Sequence, residues 1–90
     1  MDLKLTLKKK WYDMIFSGEK PEEYREKKDY WNRLIVNNYE TVTFYLGYQK
    51  NRPEMHFEVE SITEGCGKPE WGAEEGKTYY IIKLGNRVKN

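Results

Sequence analysis

The chain has 90 residues, with 16 basic and 15 acidic side chains and a formal net charge of +1. That length admits a single domain, residues 1–90, with one core and room for one site, and so even a charge balance excludes the strongly basic class that coats duplex nucleic acid. The lone Cys66 allows no internal disulfide, no apolar run approaches the ~20 residues of a membrane span, and the first residues lack the apolar stretch of a signal peptide, so a soluble protein of the reducing cytoplasm is expected.

Residues 3–8 alternate, with Leu3, Leu5 and Leu7 on one face and Lys4, Thr6 and Lys8 on the other. Period two with one apolar face predicts a half-buried strand. A helix follows near 9–17, where Tyr12, Ile15 and Phe16 form one apolar stripe. Gly18 is placed to end it, because glycine accepts the left-handed conformation of a helix terminus.

The next stretch, Gly18-Glu19-Lys20-Pro21-Glu22-Glu23-Tyr24-Arg25, is dense in charge. Pro21 pushes Lys20 towards extended geometry. Residues 22–26 then form a short strand or an ordered loop, with Glu23 and Arg25 on one side and Glu22 and Tyr24 on the other. Asp29 is a candidate N-cap for a second helix over 29–37, whose apolar set is Tyr30, Trp31, Leu34 and Ile35.

Beyond Asn37-Asn38 the chain reads as strands. Residues 41–48 alternate Val42, Phe44 and Leu46 against Thr43, Tyr45 and Gly47. Residues 55–62 alternate Met55, Phe57 and Val59 against His56, Glu58 and Glu60. The short polar loop between them predicts a hairpin. Residues 64–77 hold four of the seven glycines and read as a long structured loop. Residues 78–84 are apolar on both sides and predict a central strand. Gly85-Asn86 then turns and the basic tail frays. No repeat, linker or low-complexity tract interrupts the chain. The expected fold is α+β: a small barrelled sheet of about five strands with two short helices packed at one side.

Three features carry chemistry. Lys20 and Arg25 can hold a phosphate or carboxylate, with Glu23 orienting them, since arginine offers a bidentate fork and lysine a point charge. A solvated connector whose charges pair with one another is the alternative reading of that stretch. Most of the aromatics belong to the core of so small a domain. Trp11, Tyr24, Tyr45, Tyr48 and Trp71 stand beside glycines or charges and are candidates for stacking on a base. Lys4 with Lys8-Lys9-Lys10 extends a basic rim. His56 is the only histidine, which excludes a histidine-rich metal site, and no metal or cofactor is expected. Cys66, between two glycines, is read as a small loop residue.

Leu5-Thr6-Leu7 before the first helix, the pattern Gly18-x-Lys20-x-x-Glu23-x-Arg25 after it, and Tyr80-Ile81-Ile82-Lys83-Leu84-Gly85 together resemble the ASCH domain, a compact PUA-like β-barrel module. The resemblance spans nearly the whole chain, and the lysine–glutamate–arginine element is its most specific part. Phe44-Tyr45-Leu46-Gly47-Tyr48 and Glu70-Trp71-Gly72 resemble further segments of compact members. The resemblance implies a cleft between helices and barrel, lined by Lys20, Glu23 and Arg25 with Tyr45, Tyr48 and Trp71 as walls. It implies an RNA segment, a nucleotide or a modified nucleoside as partner, no membrane, and a monomer or weak dimer.

Some members of that family are amidohydrolases acting on N4-acylated cytidine-type nucleosides, through a lysine, a threonine and a glutamate. Lys20 matches the lysine, and Glu23 stands where those enzymes have the threonine. Their glutamate lies in a longer segment, here the short Gly-rich loop with Glu70, Glu74 and Glu75, and no single residue takes its place. Binding is therefore the first functional expectation. A hydrolase with Lys20 as base and Glu23 orienting water is the second, and a protein-interaction module using exposed aromatics is the third.

Overall fold

The structure, a computed structural model, describes residues 1–89. Five strands and two helices follow one another as β1 (Asp2–Leu7), α1 (Lys9–Phe16), β2 (Glu22–Glu26), α2 (Asp29–Ile35), β3 (Thr41–Leu46), β4 (Glu54–Cys66) and β5 (Thr78–Val88), with one 3-10 turn at Pro69–Trp71. The fold is α+β, and its single mixed sheet is strongly curled into a half-barrel. Strand order is β1-β3-β4-β5-β2. β1 and β3 are parallel, with Leu5 opposite Phe44. β3–β4, β4–β5 and β5–β2 are antiparallel. The expected hairpin is β3–β4, and β5 is internal to the sheet as its two-sided apolar character predicts.

The leucines of β1 are buried, as their alternation requires. They join Tyr12 and Ile15 of α1, Val42 and Phe44 of β3, Met55 and Phe57 of β4, and Ile82 of β5 in the main core. Each such apolar side chain removed from water contributes about 1.5–3 kcal/mol. A second, smaller cluster of Tyr24, Ala73 and Tyr79, flanked by Trp71 and Ile81, lies away from it.

Several details depart from the expectations. The helical stripe stops at Ile15, because Phe16 is exposed and lies under the Arg87 guanidinium. Asp29 opens α2 from inside the helix, and Lys28 occupies the cap position without a side-chain bond. β4 continues past Ile62 to Cys66, and β5 runs through Gly85-Asn86 to Val88. The two strands support each other: residues 61–66 of β4 pair with 78–83 of β5, and register shifts near Val59 carry the ladder on to His56 opposite Val88. Long-range pairing thus overrides the turn propensity of Gly85-Asn86.

Thr43 was expected on the polar face but is buried. Its hydroxyl donates to Asp2 Oδ2 at 2.8 Å and lies 2.8 Å from His56 Nδ1. Thr41 donates to the other Asp2 oxygen at 2.8 Å. His56, expected on the polar side of its strand, is half-buried across β3 from this carboxylate, with Glu54 2.7 Å from its other ring nitrogen. No helix among the described residues is long and apolar enough to cross a membrane.

Candidate functional site

The sheet does not close. β1 and β2 are its two edges, and they are tied across the gap by a side chain. Arg25 Nη2 of β2 donates to the Thr6 carbonyl of β1 at 3.2 Å, while Nη1 donates to Tyr24 O at 2.9 Å. The candidate site is built along this seam.

Local sequence explains why Lys20 arrives there. Gly18, at φ +86, turns the chain back after α1. The Lys20 amide then donates to Met14 O at 3.0 Å, and Pro21 O accepts from Leu84 N at 3.1 Å. The segment is held between α1 and β5, so the Lys20 side chain points inward and is only 1 % exposed at the residue level. Its ammonium donates to Glu23 Oε1, and Arg25 Nη1 donates to Glu23 Oε2. The Trp11 and Tyr24 rings stand 5.6 and 5.5 Å from the Lys20 ammonium. Burial pushes the Lys20 pKa below the ordinary lysine value, and the Glu23 carboxylate opposes that shift without reversing it.

β2 alternates as expected. Glu23 and Arg25 pair on one side, while on the other the Tyr24 hydroxyl donates to Glu22 at 2.6 Å and accepts from Lys68 N at 3.0 Å. Burial, then the Glu22 bond, push the Tyr24 hydroxyl pKa well above its usual range, so it stays protonated. Gly72, at φ +102, brings the end of the 3-10 turn against Trp11: a Cβ there would stand 3.0 Å from the indole ring. Tyr80 of β5 donates to the Asn32 side chain and so anchors α2 beside the seam.

Two adjacent cavities open on this arrangement. The first, about 290 Å³, is walled by Trp11, Trp31, Trp71, Tyr24 and Tyr79, with Glu23, Glu26 and Glu74 facing it beside Arg25 and Lys28. The second, about 550 Å³, is formed by Lys4 to Leu7 of β1 and by Lys8, with Trp11, Tyr30, Trp31 and Tyr48, and with Arg25 and Glu23 also lining it. Trp11, Trp31, Glu23 and Arg25 border both. The first cavity is acidic in balance. In the second, Lys4, Lys8 and Arg25 face one carboxylate.

Lys20, Glu23 and Arg25 therefore converge. Only Glu23 and Arg25 reach the cavity walls, and Lys20 stands behind them. Trp71 walls the first cavity under the Lys68 ammonium, 4.6 Å from the ring centroid. Tyr48 stands at the second cavity and is 88 % exposed. Tyr45 borders neither, and its ring carries the Arg52 guanidinium at 4.1 Å. Sequence reasoning assigned Trp31 to the core and passed over it. It packs against the core edge, holds the Arg25 guanidinium 5.2 Å from its ring, and walls both cavities. Its signal was the adjacent pair Tyr30-Trp31 on one short helix, where neighbouring positions do not share a single buried face. Among the described residues no group of three or more His, Cys, Asp or Glu is placed to hold a metal ion.

Models of known protein families give no match to this chain, and the curated protein sequences give none either.

Proposed function

We propose that this domain is a small cytoplasmic module of the ASCH, PUA-like type that binds a nucleotide or a single-stranded RNA segment in the seam cleft, as a monomer or weak dimer. The observation that carries the reading is the combination of three indole walls with a second cavity in which Lys4, Lys8 and Arg25 face a single carboxylate. Trp11, Trp31 and Trp71 offer faces on which any base can stack, at about 1–3 kcal/mol each. Lys4 and Lys8 border only the second cavity, where a phosphate gains from them and from Arg25. Arg25 is already bonded to Glu23, Tyr24 and Thr6. Its part is to shape the cavity, and exposed Lys8 supplies the mobile cation, with Lys4 held 3.2 Å from the Asp2 carboxylate beside it.

Titration of the intact protein with nucleoside monophosphates and short RNAs, followed by tryptophan fluorescence, tests the reading. Quenching that saturates below millimolar ligand, weakens with salt and weakens further in Lys8→Ala supports it. No quenching by any nucleotide or oligonucleotide at millimolar concentration rejects it.

One observation favours hydrolysis as a second reading. Burial lowers the Lys20 pKa, which is what a general base of this type needs. Lys20 borders neither cavity, so hydrolysis also requires the Trp11 and Tyr24 rings to part. Release of acetate from N4-acetylcytidine, lost in Lys20→Met, checks it. Intact substrate after prolonged incubation with concentrated protein excludes it.

A further inference from the structure

We infer that the cleft is built for a dinucleotide step of single-stranded nucleic acid, one base in each cavity, and not for a free mononucleotide. The inference rests on the binding reading above and narrows its ligand.

The first cavity, at about 290 Å³, stands at the lower limit of small-ligand sites, roughly 300 Å³. It suits one ring system. Of its three carboxylates, Glu74 is the one that opposes a phosphate there, since like charges repel. Glu23 is occupied by Lys20 and Arg25, and Glu26 by Lys28 and Lys77. Glu74 has no ion pair among the described residues, so its carboxylate is open to the amino edge of a base. A nucleotide with its base in this cavity must send its phosphate the other way, past Trp11 and Trp31, towards Lys4 and Lys8.

The second cavity is larger than a phosphate needs. At about 550 Å³ it also presents Tyr30 and Tyr48, which are 62 and 88 % exposed. These rings have no role in the core, and both stand on the phosphate side of the shared wall. With the first base in the smaller cavity, it is the next nucleotide of the strand that meets them. A mononucleotide with its base in the first cavity leaves both rings in water, whereas a dinucleotide adds a second stacked base beside the lysines.

The experiment is a fluorescence titration of the intact protein with adenosine and uridine monophosphates, then ApA and UpU, then the tri- and hexanucleotides, each in ribo and deoxyribo form. The expected result is a gain of about ten-fold or more from mononucleotide to dinucleotide, a gain of under about three-fold from dinucleotide to trinucleotide, and loss of the first gain in Tyr48→Ala. Ribo and deoxyribo series that behave alike assign recognition to base and phosphate. A ribo preference adds the 2′-hydroxyl, and the step size is expected in either case. Mononucleotides binding as tightly as dinucleotides overturn the inference and leave the binding reading standing. So does an affinity that climbs evenly to the hexanucleotide, or a dinucleotide gain untouched by Tyr48→Ala. Absence of binding at every length overturns both.

Discussion

The Glu23 carboxylate bonds Lys20 through one oxygen and Arg25 through the other, and so joins the turn after α1 to β2 in a site that is nearly closed to water. Paired in this way, two cations and one anion tolerate a low-dielectric setting that none of them would tolerate alone. Glu23→Gln leaves the Lys20 ammonium buried without an anion. We expect a loss of about 3–5 kcal/mol in urea unfolding. Lys20→Met with Glu23→Gln removes the stranded charge and should recover much of that loss. A single variant as stable as the parent would show that water reaches this pair.

Lys20 also sets a pH dependence. Its unfolded value is the ordinary 10.5, and burial holds the folded value below it. Between the two, the unfolded chain carries the extra proton, so stability rises with pH through that window and is complete above the unfolded value. Below the folded pKa that contribution is absent. Urea midpoints taken as the pH rises towards the unfolded value of 10.5 should climb more in the parent than in Lys20→Met. Parallel profiles would remove Lys20 from the account.

Arg25 is a test of geometry more than of charge. Arg25→Lys keeps the cation but cannot reach Glu23, Tyr24 O and Thr6 O together. Losing a charged hydrogen bond costs about 1.5–3 kcal/mol. Because the bond to Thr6 spans the two sheet edges, amide exchange should accelerate in β1 and β2 ahead of β3 and β4. Uniform acceleration across the sheet would mean that the arginine acts on global stability alone.

Gly72→Ala should be destabilising by about 1–3 kcal/mol. The position lies at φ +102, and an added Cβ would meet the Trp11 ring at 3.0 Å. Since Trp11 borders both cavities, its fluorescence should shift as well. Thermal unfolding and emission spectra read the two effects separately. Gly76→Ala is the control: that glycine also has positive φ but faces open space, so it should lose stability without moving the emission.

Local periodicity carried most of the fold. The alternation of Leu3, Leu5 and Leu7, the helix ended at Gly18, and the hairpin of β3 and β4 all follow from short-range pattern, and the structure realises each of them. What local pattern missed depended on distant partners. Thr43 reads as an outward residue until Asp2 and His56 are brought beside it. Gly85-Asn86 reads as a turn until the shifted ladder of β4 claims it.

The candidate site divides in the same way. Lys20, Glu23 and Arg25 lie close in sequence and were singled out together. Trp31 and Glu74 were not, because each owes its place to contacts with elements far along the chain. Tyr45 shows the converse: the family resemblance set it on the cleft wall, but it borders neither cavity, and Arg52, supplied by the loop of the same hairpin, lies against its ring.

The pairing of β2 with β5 has a consequence for how the protein is made. β5 follows the other four described strands in the chain, and among the described residues it alone pairs with β2, from Glu22 opposite Lys83 to Glu26 opposite Tyr79. During synthesis the lysine, glutamate and arginine are present from an early stage, yet no cleft exists around them until Thr78 to Lys83 have emerged. A nascent chain exposes its seam tryptophans throughout that interval. The seam thus waits on β5, so a premature stop near residue 77 removes the strand that holds β2 and the Tyr79 wall of the first cavity while leaving every residue of the charged motif in place.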